Sequence, residues 1–305
     1  MKKNKKKFLY LKKIKSCPIC KSKNLFIISN IKSKIKDIGS KFNLIKCNNC
    51  SHRAISKIPN EKFLKDLYMN DSPLVFGGTH GELALKKDFI AGNFEKIEPL
   101  QNHWIFNYID KKKGNYFELG PGLCRLYKAF FLKGWKCQGL ELRSFIKAPG
   151  IKNNFKKIDN QKDVAVAFDV LEHVIDPIKY LRSIKKKIKK GGKIFLTFPN
   201  SDSFKSKILK DKWAMVAPLA HIHYFSEQST KIMLNQSGFE ILFIKDFSYV
   251  EGRRLIRNIL KLPLFFLKDL INLEFKNIIN RLIEAFLNIL DLIKGDQFKV
   301  VAKKL

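Results

Sequence analysis

The chain has 305 residues, of which 45% are hydrophobic, so it can bury a sizeable core and is too long for one minimal domain. It carries 60 Lys and Arg against 27 Asp and Glu, a formal net charge of +33 that favours nucleic acid, an anionic membrane or a phosphorylated substrate as a partner. The lysines are spread along the whole chain, however, and a compositional bias would give the same distribution, so both explanations stay open.

Four of the six cysteines come in two Cys-x-x-Cys pairs, CPIC and CNNC. Each pair can present two sulfurs from one tight turn to the same ion, which suits tetrahedral coordination of Zn²⁺ by thiolates. Such a site is structural, because the four sulfurs leave no open position for catalysis. The alternatives are free cysteines in the core or a redox pair, and redox pairs usually occur singly beside a βαβ unit. We therefore predict a zinc-ribbon module over residues 1–55 that binds Zn²⁺ through Cys17, Cys20, Cys47 and Cys50.

The next stretch, residues 56–101, is rich in turn residues and is predicted to be a linker and lid segment. Residues 102–305 then alternate short apolar runs with longer amphipathic stretches, a pattern typical of a parallel sheet covered by helices. The predicted strands are 116–119, 136–141, 164–169, 192–198, 239–247 and 297–303. The predicted helices are 123–133, 177–190 and 227–237.

The stretch 252–294 interrupts this alternation and is predicted to be a helical insertion before the last strand. Apolar residues with basic residues between them would either cover the rest of the domain or, over 253–293, contact a membrane surface or a second copy. No apolar run approaches the roughly 18 residues of a spanning helix, and no signal-peptide core is apparent. We expect a cytoplasmic protein, with association at the inner face of the membrane as an open alternative.

A glycine-rich turn carries the strongest chemical signal of the sequence. Glu118, Gly120 and Gly122 stand where the first predicted strand turns into a helix, and the glycines let a ligand approach the backbone. The second strand ends at Glu141, whose carboxylate can accept hydrogen bonds from ribose hydroxyls. Nicotinamide and flavin sites need Gly-x-Gly-x-x-Gly at this turn, so the spacing favours a different cofactor.

Two further segments, FDVLEHV and GGKIFLTFPN, follow in register with the E-x-G-x-G and GLE segments. Over residues 114–247 the chain thus resembles class I S-adenosylmethionine-dependent methyltransferases, although the family commonly has a glycine where Cys124 stands. The resemblance implies a Rossmann-like α/β fold with helices on both faces of the sheet, and S-adenosylmethionine as cofactor. It also implies that Glu118, Gly120 and Gly122 surround the methionine part and the ribose of the cofactor. Glu141 would bind the ribose, and the remaining wall of the site would be lined by Asp169, Val170 and Leu171.

The cysteine pairs in front of this domain resemble two groups of methyltransferases: zinc-containing sugar methyltransferases of deoxysugar and surface-glycan pathways, and ribosomal RNA methyltransferases with zinc ribbons. The sugar group is closer, because CNNCSHRAISKIP is followed by Tyr68 and because HIHYFS contains a histidine-rich segment before Tyr-Phe-Ser. The C-methylating members have a His-Glu-His cluster further from that Tyr-Phe-Ser, whereas here Ile222 takes the place of the glutamate. C-methylation in particular is therefore not implied.

Methyl transfer needs an aligned nucleophile and often a base that takes its proton, and histidine has a suitable pKa. His221 and His223 are candidates because they lie in a loop beyond a strand end, where acceptor-binding residues are expected. His173, beside Glu172 after another strand, is a third candidate. The alternative for each is a structural role, as a helix cap, a packed ring or a loop-orienting group.

From these features we predict transfer of a methyl group from S-adenosylmethionine to a small-molecule acceptor: a sugar, a nucleotide-sugar or a glycan intermediate. The alternatives are a zinc-ribbon RNA methyltransferase and a non-catalytic scaffold. RNA base methylases often carry an Asn-Pro-Pro-Tyr-like motif or a catalytic cysteine after the fourth strand, where this chain has Asp169-Val170-Leu171-Glu172, so nucleic acid is the less favoured partner. The methylated atom and the oligomeric state stay open.

Overall fold

The computed structural model describes residues 11–32, 41–70, 94–142, 148–248, 282–283, 285–290 and 293–305. Most of the predicted helical insertion, residues 252–294, therefore lies outside the described residues, as does the middle of the predicted linker. The parts of the insertion that are described, 282–283, 285–290 and 293, are helical.

The N-terminal part contains five short strands and one helix. In chain order these are β1 (Leu11–Lys13), β2 (Leu25–Lys32), β3 (Lys41–Cys47), β4 (Arg53–Ile55), β5 (Lys57–Pro59) and α1 (Glu61–Asn70). Antiparallel pairing joins β2 to β3 and β3 to β4, so the two cysteine pairs lie at one end of a small sheet. The strands β2 and β3 thus lie between the two cysteine pairs.

The remaining strands are β6 (Asn115–Leu119), β7 (Lys136–Leu140), β8 (Ile151–Lys152), β9 (Lys162–Phe168), β10 (Ile188–Pro199), β11 (His223–Tyr224), β12 (Phe239–Phe247) and β13 (Gln297–Lys304). All except β11 form one seven-stranded sheet in the order β12-β13-β10-β9-β6-β7-β8. The strands β6 to β10 are parallel, whereas β13 runs antiparallel to both of its neighbours. This mixed Rossmann-like sheet confirms the predicted α/β fold class.

Between residues 94 and 248, where the structure describes all but 143–147, these strands are accompanied by α2 (Arg125–Leu132), α3 (Pro177–Lys187), α4 (Phe204–Leu209) and α5 (Glu227–Ser237). The helix predicted over 177–190 is shorter than expected, because β10 begins at Ile188 and bulges before Lys193. Local chemistry fixes the ends of the longer helices. Asp176 accepts a hydrogen bond from the Lys179 backbone at the start of α3, and Gly238, at φ +79°, ends α5.

The sheet has an apolar core on each face, because neighbouring side chains along a strand point in opposite directions. Tyr116 packs with Tyr127 and Phe130 of α2, whereas its neighbour Phe117 belongs to the opposite core, which includes Leu181 of α3 and Leu234 of α5. Helices therefore cover both faces, as predicted.

The N-terminal part packs into this second core rather than standing apart from it. Cys17, Ile19, Cys47 and Cys50 are buried in the same apolar cluster as the sheet residues. In addition, β4 pairs with β11, which extends the small sheet with a strand from the far side of the sequence. The residues before the predicted module boundary at residue 55 thus pack directly against the residues of the large sheet.

Candidate active site and cysteine cluster

A cavity of about 680 Å³ opens at the carboxyl ends of the parallel strands. Its walls include Gly120 after β6, Glu141 after β7 and Val170 after β9, with Leu64 and Lys65 of α1 on the opposite side. The chain proceeds from β6 towards one edge of the sheet and from β9 towards the other, so the cavity lies where the strand order reverses. Ligands of open α/β sheets bind in this position.

The turn after β6 has the backbone geometry that its glycines permit. Gly120 lies at φ +61°, and an added Cβ would meet the Val170 side chain at 3.3 Å. Cys124, the N-cap of α2, lies at φ +54° in the left-handed region that favours glycine. The backbone conformation of a glycine is thus kept at the position where the methyltransferase pattern commonly has one.

Glu118 lies beneath the cavity wall, whereas Glu141 is part of that wall. Glu118 is buried and accepts a hydrogen bond from the Tyr116 hydroxyl at 2.7 Å, and it does not line the cavity. Burial raises the pKa of Glu118 to about 8, with a further contribution from the Glu141 carboxylate, against the lowering effect of the Tyr116 hydrogen bond. Glu141 does line the cavity, so it is the carboxylate in position to meet a ribose.

The loop after β9 forms the wall beside Gly120. Asp169, at φ +53°, donates its backbone N–H to Thr197 O at 2.9 Å and accepts from Thr197 Oγ1 at 3.1 Å. Asp169 and Val170 line the cavity, whereas the Leu171 side chain is fully buried in the core below. The predicted cofactor residues thus divide into a lining set, Gly120, Glu141, Asp169 and Val170, and a supporting set, Glu118, Gly122 and Leu171.

Several lining residues were missed by the sequence reasoning. Asn153, Asn154 and Phe155 follow β8, a strand of two residues that is too short to show a periodic pattern. The helix α1 adds Glu61, Leu64 and Lys65 to the other wall. The sequence signal here was the aromatic residue after Asn-Asn, which is weak without a strand to place it.

The structure brings two of the three candidate histidines together. His173 lines the cavity, and its ring meets the His221 ring edge to face, with 4.7 Å between the ring centroids. His173 Nδ1 donates to Ala220 O at 2.8 Å, and His221 Nδ1 donates to Met215 O at 2.6 Å. Burial lowers the pKa of His221 to about 4, so this ring is neutral near pH 7. Glu172 lies 3.9 Å from His173, and these three residues are here called the Glu-His cluster.

His223, the third candidate, lies apart from the cavity. Its ring is fully buried, and a nitrogen-to-nitrogen distance of 3.1 Å joins it to His52, beside the second cysteine pair. Burial lowers the pKa of His223 to about 4 and that of His52 well below its usual range. This position links the N-terminal part to β11 and does not offer His223 to a substrate in the cavity.

The four N-terminal cysteines form a compact cluster, called here the cysteine cluster. Their sulfurs lie within 4.8 Å of one another, with Cys17 and Cys50 at 3.6 Å and Cys20 and Cys47 at 3.5 Å. Tetrahedral Zn²⁺ with Zn–S bonds of about 2.3 Å needs sulfurs roughly 3.8 Å apart. The donor set and its spacing therefore fit a closed four-thiolate zinc site.

Both cysteine turns have the same backbone structure. Lys21 N–H donates to Cys17 O at 3.0 Å, and Ser51 N–H donates to Cys47 O at 2.9 Å. Lys21 and Ser51, each directly after the second cysteine of its pair, lie at φ +64° and φ +56°. Two equivalent turns thus present two sulfurs each to one point.

Comparisons with known proteins agree with this geometry. Residues 95–243 match the family described as "Methyltransferase domain". An uncharacterized protein of Methanocaldococcus jannaschii is 28% identical over 151 residues, which are 48% of this chain and 70% of that protein. A ubiquinone biosynthesis O-methyltransferase of Stutzerimonas stutzeri is 25% identical over 122 residues, 34% of this chain and about half (53%) of that protein.

Solved structures with a similar fold were also found. An S-adenosylmethionine-dependent methyltransferase of Mesorhizobium loti has a TM-score of 0.45 at 14% identity, covering 66% of this chain and 95% of its own. Phosphoethanolamine N-methyltransferase 2 of Haemonchus contortus has a TM-score of 0.48 at 12% identity, covering 91% of this chain and 71% of its own.

The strand order, the crevice at its reversal and the family match together identify residues 95–243 as a methyltransferase domain with a Rossmann-like α/β fold. The enzyme activity that this domain supports is S-adenosylmethionine-dependent methyl transfer. Within the parts of the chain that the structure describes, no helix combines the length and apolarity needed to cross a membrane.

Proposed function

We propose that this enzyme methylates a small molecule of the sugar, nucleotide-sugar or glycan-intermediate class, and that its cysteine cluster holds a structural Zn²⁺. The observation that carries the proposal is the cavity of about 680 Å³, whose wall has cofactor-type residues and His173, with the His221 ring packed against His173. This volume lies in the range of sites that enclose small ligands. The resemblance of the cysteine pairs and of the HIHYFS segment to sugar methyltransferases supports the choice of acceptor.

The residues of the cavity can be assigned to parts of the cofactor. Gly120 lets the cofactor approach the backbone, and the Glu141 carboxylate accepts hydrogen bonds from its ribose hydroxyls. Phe155 offers an aromatic face to the adenine, and Asp169 with Val170 forms the wall below. S-adenosylmethionine supplies a methyl carbon on a sulfonium, and the protein must align the acceptor with that carbon.

The acceptor side of the cavity carries the charged and titratable groups. His173 and the neutral His221 can hold an acceptor hydroxyl or take its proton. Lys65 and Lys179 also line the cavity and suit the phosphates of a nucleotide-sugar, in keeping with the net charge of +33. The nucleophilic oxygen attacks the methyl carbon, the C–S bond breaks with its electron pair going to sulfur, and S-adenosylhomocysteine leaves.

RNA methylation is the second candidate, and the net charge of +33 is the observation that favours it. RNA substrates would be held through phosphates, so their methylation would fall steeply with added salt. A small-molecule acceptor held inside the cavity has a much weaker dependence on salt.

The first test is calorimetric titration of the zinc-loaded protein with S-adenosylmethionine and S-adenosylhomocysteine. Gly120→Arg should abolish micromolar binding, because its side chain would enter the cofactor site. Leu132→Arg, at a 59% exposed position of α2, is the matched control and should bind as the wild type does. Absence of binding by folded wild-type protein would overturn the assignment of the cofactor site.

The second test uses radiolabelled S-adenosylmethionine with a panel of nucleotide-sugars and, separately, with bulk RNA. Label transferred to a nucleotide-sugar, and lost in the Gly120→Arg variant, is the expected result. Salt-sensitive label in RNA alone would replace the small-molecule proposal with the RNA candidate.

A further inference from the structure

The Glu-His cluster joins two loops that are far apart in the sequence. Ile222 N–H donates to Glu172 O at 2.7 Å, and His173 Nδ1 donates to Ala220 O at 2.8 Å. His221 N–H donates to Ala217 O at 2.8 Å, which closes the turn that carries the His221 ring. The loop after β9 and the loop before β11 are thus fastened together beside the cavity, and the three side chains meet there.

The donor atoms of this cluster are spaced as metal ligands are. One ligand atom each from Glu172, His173 and His221 lie within 4.8 Å of one another, and Glu172 Oε1 is 3.9 Å from His173 Nε2. Bonds of about 2.1 Å to a shared ion place ligand atoms roughly 3 to 4.3 Å apart. A small side-chain rotation therefore suffices to bring the three atoms onto one ion.

The hydrogen bonds of the two rings set the orientation that a metal ligand needs. A carbonyl oxygen only accepts, so the protons of His173 and His221 lie on the Nδ1 atoms that contact Ala220 O and Met215 O. In the neutral form of either ring, the lone pair then lies on Nε2. Histidine ligands of protein metal sites are commonly held by a second hydrogen bond of this kind, which fixes the tautomer and the ring plane.

Glu172, the third member of the Glu-His cluster, gives separate support for a bound cation. Glu172 is 1% exposed, and its Oε2 atom has no hydrogen-bond partner among the described residues. A buried carboxylate in this state is destabilising unless a cation compensates it or a proton neutralises it.

We propose that Glu172, His173 and His221 bind one divalent first-row transition cation. This cation would face the cavity and bind the acceptor oxygen. Two imidazoles and one carboxylate suit Mn²⁺, Fe²⁺, Co²⁺ or Zn²⁺ better than Mg²⁺ or Ca²⁺. Three protein ligands leave positions for water and substrate, and the His173 side chain, 17% exposed, lies on the cavity wall.

This inference rests on the proposed function and specifies how the histidine pair acts. The ion polarises the bound hydroxyl, whose proton passes to water, and the resulting oxygen anion attacks the methyl carbon. The C–S bond breaks as the O–C bond forms, and neutral S-adenosylhomocysteine leaves. His173 and His221 are ligands in this scheme and not free bases.

The test is titration of the full chain, loaded with one equivalent of Zn²⁺ per chain, with Mn²⁺, and the free ion is measured by electron paramagnetic resonance. Zinc loading fills the cysteine cluster first, and Mn²⁺ is a poor competitor for thiolates. We expect one Mn²⁺ per chain, with affinity at least 10-fold weaker in Glu172→Gln, His173→Gln and His221→Asn. His103→Asn, at a half-buried ring that lies outside the cluster, is the matched control and should change affinity less than twofold.

Titration with S-adenosylhomocysteine separates this inference from the proposed function. A variant that binds S-adenosylhomocysteine within threefold of the wild-type affinity is folded. If a histidine variant does not fold, the near-isosteric Glu172→Gln variant still tests the metal site. Wild type that binds S-adenosylhomocysteine but no Mn²⁺ or Co²⁺ would overturn the metal site and leave the methyltransferase proposal intact. Mn²⁺ binding that is equal in all variants would also overturn it. Site-specific binding without methylation of any small molecule would instead contradict the proposed acceptor class.

Discussion

The cysteine cluster and the Glu-His cluster both consist of side chains of the kinds that bind metals, but they are built in opposite ways. The cysteines come from two equivalent turns, and three of the four are buried within the apolar core. The Glu-His cluster combines two unrelated loops, and His173 reaches the cavity wall. A closed set of ligands stabilises the fold, whereas an open set leaves room for a substrate. The predictions below test this division from the largest expected effect to the smallest.

Loss of the cysteine cluster should have the largest effect. Cys50→Ser removes one sulfur from a buried four-thiolate site whose metal would contribute on the order of 10 kcal/mol to folding. This amount is comparable with the whole stability of a typical domain, so the variant should unfold or fail to bind S-adenosylhomocysteine. Thermal unfolding and zinc content measure the effect.

The matched control for that variant is Cys137→Ser, a half-buried cysteine of β7 outside the cluster. It should keep its zinc and lose at most about 2 kcal/mol. A Cys50→Ser protein with unchanged stability would show that the cluster is not a structural metal site.

The crevice should hold groups that reduce stability, and Glu118 gives a pH-dependent test. Its pKa of about 8 lies above the usual 4.5, so the folded state binds a proton that the unfolded state releases between these values. The free energy of unfolding of the ligand-free wild type should therefore fall from pH 5 to pH 8, by up to about 4 kcal/mol relative to Glu118→Gln. Urea unfolding of both proteins across this pH range measures the difference, and parallel pH profiles would contradict it.

A smaller effect is expected at the cofactor itself. Glu141→Gln keeps the shape of the side chain but weakens its hydrogen bonds to the ribose, so S-adenosylhomocysteine should bind roughly 10-fold to 100-fold more weakly. Glu240→Gln, on the half-exposed surface of β12, is the matched control. Calorimetry should find it indistinguishable from the wild type, and an equal loss in both variants would remove Glu141 from the ribose site.

The sequence predicts the fold well because its signals are local. The strands and helices from residue 115 to residue 247 follow periodic apolar patterns, and the glycine turn and the cysteine turns are short motifs. Two elements differ from the prediction because their patterns mislead. The strand β8 is too short to show a periodic pattern, and the bulged start of β10 looks in the sequence like the end of the preceding helix. Local signals cannot reveal that β4 pairs with β11, because this pairing depends on the tertiary fold.

The candidate site is predicted less completely for the same reason. His221 and His223 look equivalent in the sequence, since they lie two positions apart in one loop. The structure places His221 against His173 and buries His223 against His52. Residues two apart in an extended strand point to the same side, so the rings are separated by the turn that ends at His221, whose N–H donates to Ala217 O, before β11 begins at His223.

The smallest prediction concerns the link between the two regions. His52, beside the second cysteine pair, and His223 of β11 share one hydrogen bond of 3.1 Å, and both rings are buried. A double-mutant cycle with His52→Asn and His223→Asn should give a coupling energy of about 1 kcal/mol in urea unfolding, as expected for one buried hydrogen bond. Because Glu172 O accepts from the His223 backbone N–H at 3.2 Å, the same cycle should also show coupling in S-adenosylhomocysteine affinity. Additive effects on both measurements would mean that the two regions are adjacent but act independently.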